Sequence, residues 1–444
     1  MSIVKDSPRA TDVVFAERTA RLATENAFKV GPHIAAVEAA GKPVVRLNLG
    51  EPDFNIPQWI KDEVKHQVDE CNNTHYCDPK GILSFRKAIA EKAGELRGLD
   101  IDPECVAVFP GAKPSIGFSQ MIYCNPGDEV IYPTPGFPIY ESFVRYVGAT
   151  PVPFRLEEET GFEFTAARLE ELLTDKTRLI FLNFPSNPTG RVTSKAELEK
   201  IAEVIQRKGS PHLRVYSDEI YEHILYDGLE HFSIASLPGM AERTLISSGL
   251  SKTFAWTGGR LGYIILPTRR EATMFTQYNI NFFSCVPPFL QEAGRVALTH
   301  PDTPGAVHSM VSTFQQRRDV IWQMLNAIDG VSCLKPQGAF YLFPNVAGAL
   351  DKLGAIRAFE RLPEQIQAHT SPSTLLQMFA LYKHGVAVMD RRSFGSLQSQ
   401  GQHYLRLSIA ADLEKLKEGV RRLDPACKDR DGFQNFVREG KHLF

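Results

Sequence analysis

The chain has 444 residues, 43% hydrophobic and 23% charged, with a formal net charge of -2. Its length asks for two or three hydrophobic cores rather than one. The balanced charge, with no long basic or acidic block, argues against electrostatic capture of nucleic acid or of an anionic membrane surface.

From the amino terminus, residues 1–28 mix Lys5, Asp6, Arg9, Asp12, Glu17 and Arg18 without an apolar core, unlike a secretory signal or transit peptide. No run approaches the roughly 18 apolar residues that a membrane span requires. Short apolar runs then alternate with helical patterns. Strands are expected at residues 105–109, 129–132, 151–154, 178–183, 213–217, 244–247 and 261–266, with helices at 115–123 and 140–146 between them. Continuous apolar strands separated by helices indicate an α/β domain with a mostly parallel sheet. The later part differs. A helix is expected over 310–328, with Arg317-Arg318-Asp319 as a charged face, and strands over 339–343 and 404–409, which suggests a smaller α+β domain. Residues 351–373 read as an exposed insertion and the tail after Pro425 as peripheral. Seven cysteines (71, 77, 105, 124, 285, 333 and 427) lack metal-type spacing and fit reduced thiols in a cytoplasmic protein. The twelve histidines form no HExxH-like cluster, so no metal is expected.

The unusual polar residues fall at the carboxyl ends of expected strands, where open parallel sheets bind ligands. Gly111-Ala112-Lys113 joins a strand to a helix, a turn able to cradle a phosphate, although such turns are usually only turns. Asn183-Phe184-Pro185-Ser186-Asn187-Pro188 ends another strand in a rigid loop. Ser217-Asp218-Glu219-Ile220-Tyr221 ends the next, where a carboxylate is as readily a helix N-cap as a functional group. Ser251-Lys252 follows the apolar run at 244–246, and Arg260 lies eight residues beyond the lysine. A lysine desolvated at a strand end has a lowered pKa and can form a Schiff base. An arginine nearby can fork onto a phosphate.

A lysine, a carboxylate for a ring nitrogen, phosphate anchors and an aromatic face are what pyridoxal phosphate chemistry requires. From Leu47-Asn48-Leu49-Gly50-Glu51-Pro52-Asp53-Phe54 to Tyr404-Leu405-Arg406-Leu407-Ser408, about four fifths of its length, the chain resembles the class I and II aminotransferases. These are fold-type I pyridoxal phosphate enzymes. The resemblance implies a large cofactor-binding α/β domain (residues 56–305), a small C-terminal domain (306–444) and an amino-terminal segment (1–55) serving the small domain and a homodimer contact. It makes Lys252 the Schiff-base lysine and proton carrier, and Asp218 the partner of the ring nitrogen. Asn187 and Tyr221 would bond the ring's phenolic oxygen, and Phe137 would stack on the ring. Arg260, Ser251, Gly111 and the backbone of Ala112 and Lys113 would hold the phosphate, with Tyr76 reaching the phosphate of the neighbouring subunit. Arg406, helped by Gly50 and Asn187, would clamp the substrate α-carboxylate.

The implied activity is ping-pong transfer of an amino group between an amino acid and a 2-oxo acid, without nucleic acid or membrane partners. Lys113 occupies the place where one branch of the family carries a lysine for a distal carboxylate, which favours an aspartate- or glutamate-like donor. The region aligned near Asn26 and Ala27 does not obviously supply the threonine that assists it in that branch. An aromatic or neutral donor is the alternative, given Phe137, Trp256 and Phe282-Phe283. A lyase, synthase or oxidase on the same scaffold would use the same motifs. A pyridoxal-phosphate-binding regulator would need a DNA-reading domain ahead of Gly50, and none is evident. Three departures stand out. Trp256 is bulkier than usual for its position, Gly249 replaces a phosphate-binding serine that Ser248 could supply, and Asp390-Arg391-Arg392 brings charge near the substrate mouth.

Overall fold

The chain builds β1 (Val45–Arg46) and then seven strands that form its larger sheet. These are β2 (Val106–Pro110), β3 (Glu129–Thr134), β4 (Thr150–Arg155), β5 (Thr177–Asn183), β6 (Arg214–Asp218), β7 (Thr244–Gly249) and β8 (Leu261–Ile265). This computed structural model describes residues 14–23 and 25–440. Residues 1–13, which carry Lys5, Asp6, Arg9 and Asp12 of the amino-terminal reading, and the side chain of Ala27 lie outside that description.

The strand order is β2-β8-β7-β6-β5-β3-β4. Every neighbouring pair is parallel except those made by β8, which runs antiparallel to both β2 and β7. Strand alternation sends Ile180, Leu182 and Val215 to one face, beneath Leu198, Ile201 and Ile205 of the helix Lys195–Lys208. Phe181, Tyr216 and Leu245 face the other way, against Ile116 and Phe118 of the helix Lys113–Tyr123 and Phe275 of the helix Arg269–Phe283. Both faces are thus dry, which is why the strands read as unbroken apolar runs. Each fully buried Phe or Ile contributes about 1.5–3 kcal/mol, so the two-sided burial sets the register of the strand ends that bear the polar residues.

The carboxyl-terminal part adds β9 (Tyr341–Leu342), β10 (Val386–Ala387), β11 (Met389–Asp390) and β12 (Leu405–Ser408). β12 lies between β11 and β9, antiparallel to both, while β1 pairs in parallel with β10. A separate core gathers around Phe314, Leu325, Phe340, Leu375, Phe379 and Leu423. Among the described residues, no helix is long and apolar enough to cross a membrane.

Strand positions in the large sheet agree with the sequence reading to within two residues, but three other expectations fail. Residues 351–373 are not a simple exposed insertion: Leu353, Ala355, Thr370 and Ser373 are buried, and short helices tie the segment to the small core. After Pro425 the helix Arg430–Glu439 buries Phe433 and Phe436 against Phe379. Its apolar residues sit three apart among charges, which makes the segment read as polar when averaged. The supposed charged face of the helix Thr303–Asn326 is turned inward in part. Arg318 is fully buried and forks onto Asp227 at 2.7 and 2.8 Å. Arg317 forks onto Asp53 at 2.6 and 3.0 Å and so holds the Gly50–Asp53 turn against the helix Thr303–Asn326.

Candidate active site

A cavity of about 400 Å³ opens at the carboxyl ends of β2, β5, β6 and β7. Its lining brings together Ala112, Lys113, Phe137, Asn187, Asp218, Tyr221, Ser251, Lys252, Arg260 and, from the other parts of the chain, Gly50 and Arg406. Gly111 sits at the edge of this group. Tyr76 does not join it, and in its own chain is 88% exposed.

The Lys252 amine donates to the Gly50 carbonyl at 2.6 Å. Burial lowers its pKa to about 8, with the nearby Arg406 charge acting in the same direction and Glu51 opposing it. At neutral pH roughly a tenth of this amine is then uncharged, against a few parts in ten thousand for an ordinary lysine. Gly50 is required where it stands, because a Cβ there would lie 2.1 Å from the Tyr341 hydroxyl oxygen.

Asp218 is buried, and desolvation raises its pKa to about 6 despite a hydrogen bond from the Tyr140 hydroxyl at 2.7 Å. Only a long 3.4 Å contact joins it to the Ile220 amide, so it is not acting mainly as a helix cap. Its backbone carbonyl accepts from Asn183, whose side-chain oxygen in turn accepts from the Asn187 amide. The Tyr221 hydroxyl pairs with that of Tyr341 at 2.8 Å. Burial raises the Tyr221 pKa well above the usual phenol value, so this hydroxyl is a donor rather than a base.

Arg406, like Asp218, is buried. Its guanidinium lies between the rings of Tyr341 and Phe394, 4.5 and 4.8 Å from their centroids. It donates to the Asn48 carbonyl at 2.5 Å and to Asn187 Oδ1 at 3.3 Å, while its buried Nε has no partner among the described residues. A buried guanidinium with an unmet donor calls for an anion with two oxygens.

At the far strand end, Gly111 has φ +87°, and a Cβ there would meet the Arg260 guanidinium at 2.2 Å. Arg260 thus packs on the turn that opens the helix Lys113–Tyr123, donating to the carbonyls of Thr257 and Pro110. A helix amino terminus beside an arginine and the buried Ser251 forms a cradle for a dianionic phosphate. Lysine, carboxylate, phosphate cradle and the Phe137 ring therefore fit pyridoxal phosphate. They could hold it at Lys252, at Asp218 and at the Gly111–Lys113 turn with Arg260.

The departures resolve individually. Ser248 donates to Glu222 at 2.6 Å and does not line the cavity, so it is not oriented as a replacement for the serine missing at Gly249. Trp256 packs over Gly259 in the core around Ile60 and Phe85. Arg391 is buried and donates to Gln402, Gly395 and Thr134, Asp390 accepts from Thr374 and Ser393, and Arg392 donates to the carbonyls of Thr370 and Ala368. None of the three lines the cavity. Lys113 forms an ion pair with Glu25, and its ammonium lies 5.6 Å from the Phe137 centroid.

The sequence reading singled out the Asn183–Asn187 loop without a separate role for Asn183, and missed Glu25, Asn48, Tyr140, Tyr341 and Phe394. Tyr140 alone had a local signal, three residues after Phe137 at the start of a helix and hence on the same side.

The profile of the family described as Aminotransferase class I and II matches residues 42–423. An aspartate aminotransferase of Pyrococcus abyssi is 35% identical over 89% of this chain and 94% of its own. An aromatic-amino-acid aminotransferase of Thermococcus litoralis is 34% identical over 87% of this chain and 92% of its own. The crystal structure of an aspartate aminotransferase from Rhizobium meliloti is similar at a TM-score of 0.83, with 33% identity over 94% of this chain and 99% of that one. Fold, site and relatives agree: the chain belongs to the class I and II aminotransferases and is a pyridoxal-phosphate-dependent enzyme of that family.

Proposed function

We propose that this aminotransferase works by a ping-pong mechanism between an acidic amino acid, aspartate- or glutamate-like, and a 2-oxo acid. The observation that carries the reading is one cavity holding a half-buried lysine of lowered pKa, a buried carboxylate and a buried arginine with an unmet donor. When bound, pyridoxal phosphate withdraws electrons from the bonds at the substrate Cα. Lys252 would attach the cofactor and then carry the proton at Cα, for which an amine poised near neutral pH is suited. Asp218 would hold a proton on the ring nitrogen, Tyr140 keeping the carboxylate oriented. Asn187 and Tyr221 would donate to the ring oxygen, and Arg406, with the Gly50 and Asn187 region, would fix the α-carboxylate. We include in the proposal the domain boundaries given above and a cytoplasmic location, which the seven free cysteines support.

Lys113 supports the acidic donor, because Arg406 already serves the α-carboxylate and a second cation would serve a distal one. The Glu25–Lys113 pair favours a second reading, a neutral or aromatic donor, since the lysine's charge is already met. Magnitude favours the first. A partly exposed ion pair is worth about 0–1 kcal/mol, little enough for a substrate carboxylate to replace Glu25. The test compares kcat/KM for aspartate, glutamate, phenylalanine and alanine in wild type, Lys113→Ala and Glu25→Gln. Lys113→Ala should lower the two acidic donors at least about tenfold, roughly 1.4 kcal/mol, and spare the others. Glu25→Gln should raise the acidic donors alone. A wild-type preference for the neutral donors, or equal losses for all four, would overturn the acidic reading.

We also propose a homodimer with shared sites, in which Tyr76 serves the partner's phosphate cradle. Its exposure and its place outside its own cavity support this. Dilution should then lower specific activity in step with monomer formation, measured by sedimentation. Tyr76→Phe should weaken cofactor binding without dissociating the dimer. A fully active monomer would contradict the proposal.

A further inference from the structure

Directly behind the cavity lies a buried charge cluster with no role in the chemistry derived above. Asp218 lines the cavity, and Glu219, next in the chain, makes its contacts elsewhere, as alternation along a strand end requires. Glu219 accepts from Ser217 and Ser233, each at 2.6 Å, has His231 Nε2 at 2.6 Å, and accepts from Arg97 at 2.7 and 3.1 Å. Arg97 ends the helix Leu83–Arg97, and its side chain is 1% exposed. The same guanidinium donates to Glu222, which also accepts from Ser248 at 2.6 Å. Glu219, Glu222 and His231 have the makings of a metal site, but the guanidinium already supplies the cation between the carboxylates.

The connections give this cluster a direction. Glu219 is covalently next to Asp218, and its amide donates to the Ser247 carbonyl of β7 at 2.8 Å. Ser248 lies in β7, four residues before Lys252. Arg97 therefore fixes both carboxylates of the segment that follows β6 and Asp218, and Glu222, through its bond from Ser248, links that segment to the end of β7, which leads to Lys252. The two groups come from different strands, and their mutual offset is not fixed by the backbone of either strand alone.

We propose that Arg97, acting through Glu219 and Glu222, is a positioning residue that sets the offset between the Asp218 carboxylate and the Lys252 amine. The inference rests on the roles proposed above for those two residues. A guanidinium can do this where an ammonium cannot, because its fork reaches two carboxylates in fixed directions.

The test uses Glu222→Gln, which keeps the shape and removes one charge, and Ser248→Ala, which cuts the side-chain tie from β7 to Glu222 without altering charge. Arg97→Lys serves as the conservative variant, keeping the charge and losing the fork. Measured on each are cofactor affinity of the apoprotein by fluorescence, kcat and KM separately, and the melting temperature. Positioning predicts cofactor affinity and kcat both about tenfold lower in Glu222→Gln, KM within about threefold, and the same direction but a smaller change in Ser248→Ala. Arg97→Lys should fall between Glu222→Gln and wild type. A merely structural cluster would lower the melting temperature alone. Changes in affinity and kcat below about threefold in the folded variants would overturn the inference. If Glu222→Gln does not fold, Ser248→Ala decides by the same criterion. Lys252→Ala and Asp218→Ala run alongside: if they too leave kcat unchanged, the underlying reading of the site has failed rather than this one.

Discussion

Replacement of Lys252 by alanine is expected to abolish covalent attachment of pyridoxal phosphate and to lower kcat by about 10⁴-fold or more, roughly 5 kcal/mol of barrier. The variant loses the one cavity lysine whose amine burial has poised near pH 8. The other lysine of the cavity, Lys113, is held by Glu25 beside the Phe137 ring. Borohydride reduction followed by peptide mass analysis reads the attachment directly. A variant that retains cofactor on another residue and turns over normally would remove Lys252 from its role.

The same residue gives a stability signature without cofactor. Its folded pKa lies below the unfolded value of 10.5, so unfolding takes up a proton between about pH 8 and 10.5. Apo wild type should therefore gain stability relative to apo Lys252→Ala as pH rises through that window, and should show no such relative gain below it. Denaturant midpoints at pH 7, 9 and 10.5 check this. A constant difference across the three would mean that the amine is not desolvated.

How much of this site could be read from the chain depends on the distance over which each contact acts. The strands were legible because both sheet faces are buried, and a run such as Leu179–Leu182 has no polar side to confuse it. The strand-end residues Asn187, Asp218 and Lys252 were legible as polar departures from that pattern, and their family motifs gave each a role. What stayed hidden were partners supplied by remote segments. Tyr140 reaches Asp218 across 78 positions, Tyr341 reaches Tyr221 across 120, and Glu25 reaches Lys113 across 88. No local periodicity encodes such pairings, and the charges involved look like ordinary surface residues in sequence. Arg318 and Arg391 misled for the same reason, since each is neutralised or hydrogen-bonded by residues far away in the chain. Exposure misled in the other direction at Phe433 and Phe436, whose cover comes from a helix some fifty residues earlier.

Asp218→Ala should leave a folded protein whose kcat is lower by several orders of magnitude, because in the role proposed above Asp218 holds the proton on the ring nitrogen. The buried carboxylate is the only acidic group at that strand end that lines the cavity; Glu219 beside it is committed to Arg97 and His231. Its loss also strands the Tyr140 hydroxyl in a fully buried position, a cost of about 1–3 kcal/mol to stability. The pH dependence separates these effects. In the apoprotein the Asp218 pKa is raised from 3.8 to about 6, so the folded state holds its proton more tightly than the unfolded chain. That stabilising contribution is present below about pH 4 and is lost as pH rises through 6. A cationic ring nitrogen reverses the balance, since it favours the carboxylate, so cofactor affinity should rise as Asp218 ionises between about pH 5 and 7. Titration of apoprotein with pyridoxal phosphate across this range should show the rise in wild type and a smaller one in Asp218→Ala. A kcat within about tenfold of wild type, roughly 1.4 kcal/mol, or an identical pH dependence of cofactor binding in the two proteins, would assign the ring nitrogen to another group.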